Sequence, residues 1–192
     1  FISSAYESLR DERSLVIDAL LDHNMFPVGM EHFTASTTQQ FHDIEERIEL
    51  SDFFILILGR RYGSCDELGM SWTEREYRYA KQHEKEILVL FCDELLELRL
   101  RRSDPNLTDD EKKQLRFSDS ISFAREVTPD MSISRIVHQF LAGADFTRCS
   151  GWKHCNAVGG KALEEWKKMH IKYDLSGQWY HVHLSNEDDH YV

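Results

Sequence analysis

An uninterrupted apolar block of six residues, FFILIL at positions 53–58, ends at Gly59 and stands out from its polar surroundings. A short run without any polar side chain is typical of a strand that is buried on both faces at the centre of a parallel sheet. A Ser-x-x-Glu sequence at Ser71 and Glu74 follows, which is a capping box that starts a helix. The pattern therefore predicts a central strand, a loop and a helix.

The rest of the first 142 residues alternates in the same way between short apolar runs and helical spacing. We expect strands at residues 1–4, 26–30, 53–58, 87–91 and 125–128, with a helix after each. Ser4 or Ser8 would cap the first helix, the next three would start at Thr37 or Thr38, at Ser71 and at Thr108, and the last would span residues 132–142. In the fourth of these helices, Leu115, Phe117 and Phe123 are expected to face inward. Residues 93–106 read as a solvated connection, with the basic cluster at 99–102 as ordinary surface. This order predicts a doubly wound, mostly parallel five-stranded sheet with strand order 2-1-3-4-5.

The last fifty residues differ in character, so we divide the chain into a domain at residues 1–143 and a segment at residues 144–192. A short helix at 162–170 and an alternating stretch at 178–185 predict a linker helix and the opening hairpin of a β-rich module. We interpret this module as truncated, with further domains of the same protein beyond it. Its unpaired edge and its aromatic side chains (Trp179, Tyr180, Tyr191) predict a homo-oligomer.

Charge and hydropathy exclude several classes of function. The net charge of −11 argues against general nucleic-acid binding. No apolar run reaches the length of a membrane span, so we expect no membrane association. Four cysteines at irregular spacing indicate free thiols in a reducing compartment, which predicts a cytoplasmic protein.

No metal site is predicted. The spacing of Cys149, His154 and Cys155 matches none of the usual zinc pairs, and His181 and His183 fit an ordinary half-exposed strand face better than a metal site. The common glycine-rich fingerprints of ATPases and dinucleotide-binding domains are also absent from the sequence.

The candidate site lies where ligands bind in open parallel sheets, beyond the carboxyl ends of the strands. Ser3 and Ser4 follow the first strand, the loop Gly59-Arg60-Arg61-Tyr62-Gly63-Ser64 follows the central strand, and Trp72 opens the next helix. Glu76 shares the inward face of that helix with aromatic residues, so burial should raise its pKa unless it is paired. Two interpretations remain open: a catalytic carboxylate, or a salt bridge to Arg60 or Arg61.

Several motifs resemble one known group of proteins. FISS at residues 1–4, FPVGME at 26–31, SDFFILILG at 51–59, RYGS at 61–64 and SWTEREYRYA at 71–80 are similar to an uncharacterised bacterial domain family over residues 1–142. That family occurs at the N-termini of multidomain signalling or antiviral defence proteins. More distantly, the chain is similar to TIR domains and to nucleoside 2-deoxyribosyltransferases, which share a flavodoxin-like layout.

The resemblance implies a nucleotide-binding effector domain. EYRYA at residues 76–80 resembles the Glu-x-Gly-Tyr-Ala of the transferases, in which the Glu attacks the anomeric carbon, although Arg78 stands in place of the Gly. Glu76 would then cleave the N-glycosidic bond of NAD, a nucleoside or a nucleotide without a cofactor. Ser3, Ser4, Gly59, Tyr62, Gly63 and Trp72 would bind the ligand, with Arg60 or Arg61 on its diphosphate. The alternative is a non-catalytic module that senses a nucleotide or binds a partner protein.

Overall fold

The computed structural model describes residues 1–29 and 39–144. In chain order these residues form β1 Ile2–Ser4, a 3₁₀ turn Tyr6–Ser8, α1 Arg10–Asp22, α2 Gln39–Leu50, β2 Phe53–Leu58, α3 Trp72–Gln82, β3 Glu86–Phe91, α4 Asp93–Leu100, α5 Asp109–Asp119, β4 Arg125–Glu126 and α6 Ile133–Gly143. The predicted linker helix and hairpin, and the residues Cys149, His154, Cys155, His181 and His183, lie outside the described residues.

The strands form one parallel sheet in the order β1-β2-β3-β4. All six residues of β2 are buried, and β2 lies between β1 and β3. This confirms the predicted position of residues 53–58 in the interior of a parallel sheet. The carboxyl ends of β1 and β2 therefore lie side by side, with Ser4 opposite Ile57.

Within the described residues the sheet has four strands, where five were expected. Residues 26–29, the described part of the strand predicted at residues 26–30, do not form one. There, Gly29 makes a single parallel bridge to Ile2, and the Ile2 N–H donates to the Val28 carbonyl at 2.7 Å. Pro27 has no N–H to add to a ladder, which is one reason why the pairing does not extend. The bridge still lies on the side of β1 that was predicted for this segment.

Two expectations about helices were wrong. α1 begins at Arg10 without a side-chain cap, because the Ser4 hydroxyl instead accepts a hydrogen bond from Arg13 and the Ser8 hydroxyl donates to the Ala5 carbonyl. Residues 93–100 form α4 where a solvated connection was expected. Its leucines are distributed around the helix, so the spacing produced no amphipathic pattern, although Leu95 and Leu98 are buried.

α5 and α6 begin where the sequence predicts. Thr108 and Glu111 make a complete capping box at the start of α5, and the Ser132 hydroxyl caps α6. Leu115 and Phe117 are buried as expected, but Phe123 is 89% exposed because α5 ends before it. The start of α2 is described only from Gln39 onwards, so its predicted cap lies outside the described residues.

Arginines of the basic cluster at residues 99–102 make surface ion pairs with Asp104 and Asp119, as expected of ordinary surface. The two described cysteines, Cys65 and Cys92, are both free thiols. None of the helices in the described ranges is long and apolar enough to cross a membrane.

One main core cluster lies between the sheet and the helices. It combines the alternate residues Phe54, Leu56 and Leu58 of β2 with apolar residues of α2, α3, α4 and α5. Because side chains alternate along a strand, the other residues of β2 point to the opposite face. The sheet is therefore covered on both faces.

Candidate functional site

The centre of the site is a buried hydrogen bond between β1 and α3. The Ser71 hydroxyl caps α3 by accepting the Glu74 N–H at 3.1 Å, and this fixes the helix so that Glu76 faces the sheet one turn later. The Ser3 hydroxyl donates to Glu76 Oε2 at 2.5 Å. Glu76 is only 2% exposed, and Ser3 is fully buried. The structure thus brings together two of the residues that the sequence analysis singled out.

Burial raises the pKa of Glu76 to about 7, because water no longer solvates its charged form. The hydrogen bond from Ser3 and the positive charge of Arg13 act in the opposite direction, since both favour the ionised carboxylate. Glu76 therefore changes its charge near neutral pH. A buried carboxyl group that titrates near neutrality, with a specific charge partner, is a physical signature of functional sites.

Arg13 is the charge partner that the sequence analysis missed. This residue of α1 is 2% exposed, and its Nη1 donates to Ser4 Oγ at 2.9 Å and to the Ile2 carbonyl at 3.3 Å. Successive side chains of a strand point to opposite faces, so Ser3 reaches Glu76 on one side of β1 and Ser4 meets Arg13 on the other. A buried carboxyl group and a buried guanidinium group therefore flank the end of β1.

A signal for Arg13 was present in the sequence. It lies four residues after Leu9 and three before Val16, which places a charged residue on the apolar face of a helix. A buried arginine in that position needs partners for its guanidinium group. The sequence alone did not reveal that the partners would be provided by β1.

The loop at residues 59–64 packs directly on the connection between β1 and α1. A Cβ atom on Gly59 would lie 2.9 Å from Leu9 Cδ2, so a larger residue would collide there. Gly63 has φ of +90°, a conformation that favours glycine, and a Cβ atom on it would lie 3.6 Å from Ala5 Cβ. Gly59 thus leaves room for Leu9, whereas Gly63 is favoured by its backbone conformation.

Arg60 and Tyr62 hold this loop in place. Arg60 Nε and Nη2 donate to Glu111 Oε1 of α5 at 2.8 and 2.5 Å. The Tyr62 hydroxyl donates to Glu74 Oε2 at 2.5 Å, and the Tyr62 N–H donates to Asp110 Oδ2 at 3.1 Å. The Glu74 carboxylate, expected to complete a capping box, therefore anchors the loop to α3.

Neither arginine of the loop pairs with Glu76. Arg60 is engaged by Glu111, and the Arg61 guanidinium is exposed without an ion pair among the described residues. The salt bridge that the sequence analysis left open for Glu76 is thus replaced by the hydrogen bond from Ser3.

Trp72 lies at the start of α3 but contacts α2. Its ring centroid is 5.7 Å from that of Phe41, and the Arg75 guanidinium lies over both rings. These are the contacts of a residue that packs two helices together. The described contacts of Trp72 therefore connect it to α2 rather than to Ser3 or Glu76.

In the described ranges no cluster of three or more His, Cys, Asp or Glu side chains is arranged to hold a metal ion. The chemistry that these residues offer is that of a carboxylate beside a hydroxyl group. An ionised carboxylate stabilises a positive charge that develops next to it, and it can also act as a nucleophile.

Fold and site together define a parallel α/β domain with a buried carboxyl group at the carboxyl edge of its sheet. Residues 1–140 match the family described as "Domain of unknown function (DUF4062)". The chain belongs to this family. This confirms the predicted resemblance to an uncharacterised domain family, whereas the bacterial origin and the likeness to deoxyribosyltransferases stay predictions.

Among solved structures, the chain is similar to the TIR domains in "Structure of the activated Roq1 resistosome directly recognizing the pathogen effector XopQ (TIR domains)". The two share 15% identity over 74% of this chain and 96% of that chain, with a TM-score of 0.48. Such a TM-score is too low to assign a common fold. No curated protein matches the chain.

Proposed function

We propose that this domain binds a nucleotide or nucleoside at the carboxyl edge of its sheet and cleaves the N-glycosidic bond with Glu76. The observation that carries the proposal is the Glu76 carboxyl group, which accepts a hydrogen bond from Ser3 and has a pKa raised to about 7 by burial. Ligands of open α/β sheets bind at this edge. NAD is one substrate of the required chemical class.

In the proposed reaction the bond between C1′ and the base nitrogen breaks, and its electron pair leaves with the base. Positive charge develops on C1′ and the ring oxygen of the sugar. The ionised Glu76 carboxylate stabilises this charge or bonds to C1′, as carboxylates do in glycoside hydrolysis. The oxygen of a water molecule then bonds to C1′, and where Glu76 had bonded to C1′ that bond breaks and its electron pair returns to the carboxylate. A proton of the water passes to the solvent when the departing base is nicotinamide. Ser3 keeps the carboxylate oriented through its hydrogen bond.

One observation supports the non-catalytic alternative. Glu76 is almost completely buried, and Ser3 already satisfies one of its oxygens, as expected of a polar pair that serves the structure. In that case the domain would bind a nucleotide or a partner protein without changing it. Glycosidic cleavage requires that Glu76 contact the substrate, whereas the non-catalytic alternative does not.

Base release from NAD and from nucleosides tests the proposal, with the purified protein and its Glu76→Gln variant. Glutamine keeps the size of the side chain but removes the negative charge. We expect release to fall by at least about a hundredfold, since the charge stabilises the transition state. Glu46→Gln is the matched control, because Glu46 is an exposed glutamate of α2.

Equal base release by the wild-type protein and the Glu76→Gln variant would contradict the proposed reaction. The same holds for a wild-type protein that releases no base. Nucleotide binding without any base release would favour the non-catalytic alternative. Circular dichroism of each variant shows whether the fold is retained.

A further inference from the structure

Tyr6 and two arginines form a cluster directly after β1. The guanidinium carbon of Arg10 lies 5.3 Å from the centroid of the Tyr6 ring, and that of Arg13 lies 5.7 Å from it. Both are cation–π distances. Tyr6 is 43% exposed and Arg10 is exposed, whereas Arg13 is buried. The cluster therefore has a buried side at β1 and an open side towards solvent.

The two arginines differ in how their charges are balanced. Arg13 donates to Ser4 and Ile2, and its charge acts on the buried Glu76. The Arg10 guanidinium has no ion pair or hydrogen bond to any of the described residues, and its described contact is the Tyr6 ring. The ring limits the freedom of the Arg10 side chain and leaves its N–H donors open to a ligand.

A second open cation lies on the adjoining loop. Arg61 is exposed, and no ion pair or hydrogen bond of its guanidinium occurs in the part of the chain that the structure describes. Its loop lies next to the Tyr6 connection, because a Cβ atom on Gly63 would lie 3.6 Å from Ala5 Cβ. Arg60, the next residue, is different because Glu111 occupies its guanidinium. The segments after β1 and β2, which form the rim of the proposed site, therefore carry two open cations in a chain whose net charge is −11.

We propose that Tyr6, Arg10 and Arg61 bind the phosphate group of a nucleotide, so that the ligand of this site is a phosphorylated nucleotide rather than a nucleoside. The inference rests on the proposed function, because it assigns the phosphate side of the same ligand. Each guanidinium group can bind phosphate oxygens with two parallel hydrogen bonds. The Tyr6 hydroxyl adds one further donor to the two arginines. From the sequence alone this role was expected of Arg60 or Arg61, and Tyr6 and Arg10 were not among the candidates.

The test compares the binding of ADP, AMP, adenosine and inorganic phosphate by calorimetry. The protein carries Glu76→Gln, which prevents turnover but leaves the rim unchanged. We expect ADP and AMP to bind at least about tenfold more tightly than adenosine, since one charge-assisted contact is worth about that factor. Arg10→Gln and Arg61→Gln should each reduce this preference about three- to tenfold and leave adenosine binding unchanged.

Arg116→Gln is the matched control. Arg116 is an exposed arginine of α5 without a described ion pair, so its variant removes the same charge from another element. Tyr6→Phe removes only the hydroxyl donor, keeps the ring under Arg10 and should weaken phosphate binding less than Arg10→Gln does.

The outcomes separate this inference from the proposed function. Equal affinity for ADP and adenosine would overturn the phosphate site and leave the glycosidic reaction open. An Arg10→Gln variant that behaves like Arg116→Gln would overturn the phosphate site as well. Inorganic phosphate that competes as strongly as ADP would show a free-anion site and overturn the assignment to a nucleotide. If neither ADP nor adenosine binds, both proposals are wrong.

Discussion

Ser3 and Glu76 are 73 residues apart in the sequence, yet the hydroxyl of one donates a buried hydrogen bond of 2.5 Å to the carboxylate of the other. Ser3 comes from β1, and Glu76 comes from the second turn of α3. The bond joins a strand to a helix at the edge of the sheet where ligands bind in this class of fold. The first three predictions concern this pair.

The activity should depend on pH through Glu76. The proposed reaction needs the ionised carboxylate, and burial raises the pKa of Glu76 to about 7. Base release should therefore increase from about pH 5.5 to about pH 8.5 with a midpoint at about 7. The pH profile of kcat/KM for NAD, which reports the pKa of the free enzyme, checks this. A profile that is flat over the whole range would argue against Glu76 as the titrating group.

The contribution of Glu76 to the free energy of unfolding should fall as the pH rises, whereas the rate of base release should increase. The pKa of Glu76 is about 7 in the folded protein and near the ordinary value of 4.5 when unfolded, so the folded state holds more protons between these values. The contribution of Glu76 to stability is fully present below about pH 4.5 and is lost as the pH rises through 7. The total change is about 3 kcal/mol.

Urea unfolding of the wild-type protein and Glu76→Gln at about pH 5 and about pH 8 measures this contribution. Glutamine does not titrate, so the difference between the two proteins cancels the other groups. We expect the wild-type protein to lose free energy of unfolding relative to Glu76→Gln on going from the lower to the higher pH. A constant difference would show that Glu76 has an ordinary pKa in the folded state.

Ser3→Ala should both destabilise the domain and raise the pKa of Glu76. The hydrogen bond from Ser3 favours the ionised carboxylate, so its loss moves the pKa of Glu76 further up. It also leaves a buried acceptor without a donor, which costs about 1–3 kcal/mol. Urea unfolding under mildly alkaline conditions and the midpoint of the rate profile measure the two effects.

Ser8→Ala is the control for this substitution. The Ser8 hydroxyl makes only a long hydrogen bond of 3.3 Å to the Ala5 carbonyl in a partly buried position. We expect a change below about 0.5 kcal/mol and no shift of the midpoint. If Ser3→Ala and Ser8→Ala behave alike, the short bond to Glu76 does not contribute as described.

Gly63→Ala should destabilise the loop beside the site. Gly63 has φ of +90°, which costs an L-residue about 1–2 kcal/mol. Gly143→Ala is the control, because a Cβ atom at the end of α6 meets nothing within 4 Å. Thermal unfolding should show a lower Tm for Gly63→Ala and an unchanged or slightly higher one for Gly143→Ala. A Gly63→Ala variant as stable as the wild type would contradict the conclusion that this backbone conformation strains an L-residue.

The hydrophobic pattern determined most of the fold. The apolar block at residues 53–58 is typical of a strand buried on both faces, and the capping sequences at Ser71 and Thr108 set the starts of α3 and α5. These signals are local, because periodicity and caps depend on neighbours within one or two turns. For the same reason α4, whose leucines lie on all sides, was not recognised.

The sequence also predicted that Ser3, Ser4 and the loop at residues 59–64 come at the carboxyl ends of neighbouring parallel strands, which is where the structure has them. It did not determine which side chains pair. From the sequence, Glu76 could lie among the aromatic residues of its own helix face or pair with one of the two loop arginines. Only the packing of α3 on β1 brings it to Ser3. Arg13 reaches the end of β1 only because α1 folds back beside that strand.

Those pairings were decided by the tertiary structure for a physical reason. A buried charge takes whichever donor the fold brings within about 3 Å, and contacts between distant segments leave no periodic trace in the sequence. Local spacing thus specified the elements and the edge where they end, whereas long-range packing selected Ser3 as the donor to Glu76 and Glu111 as the partner of Arg60.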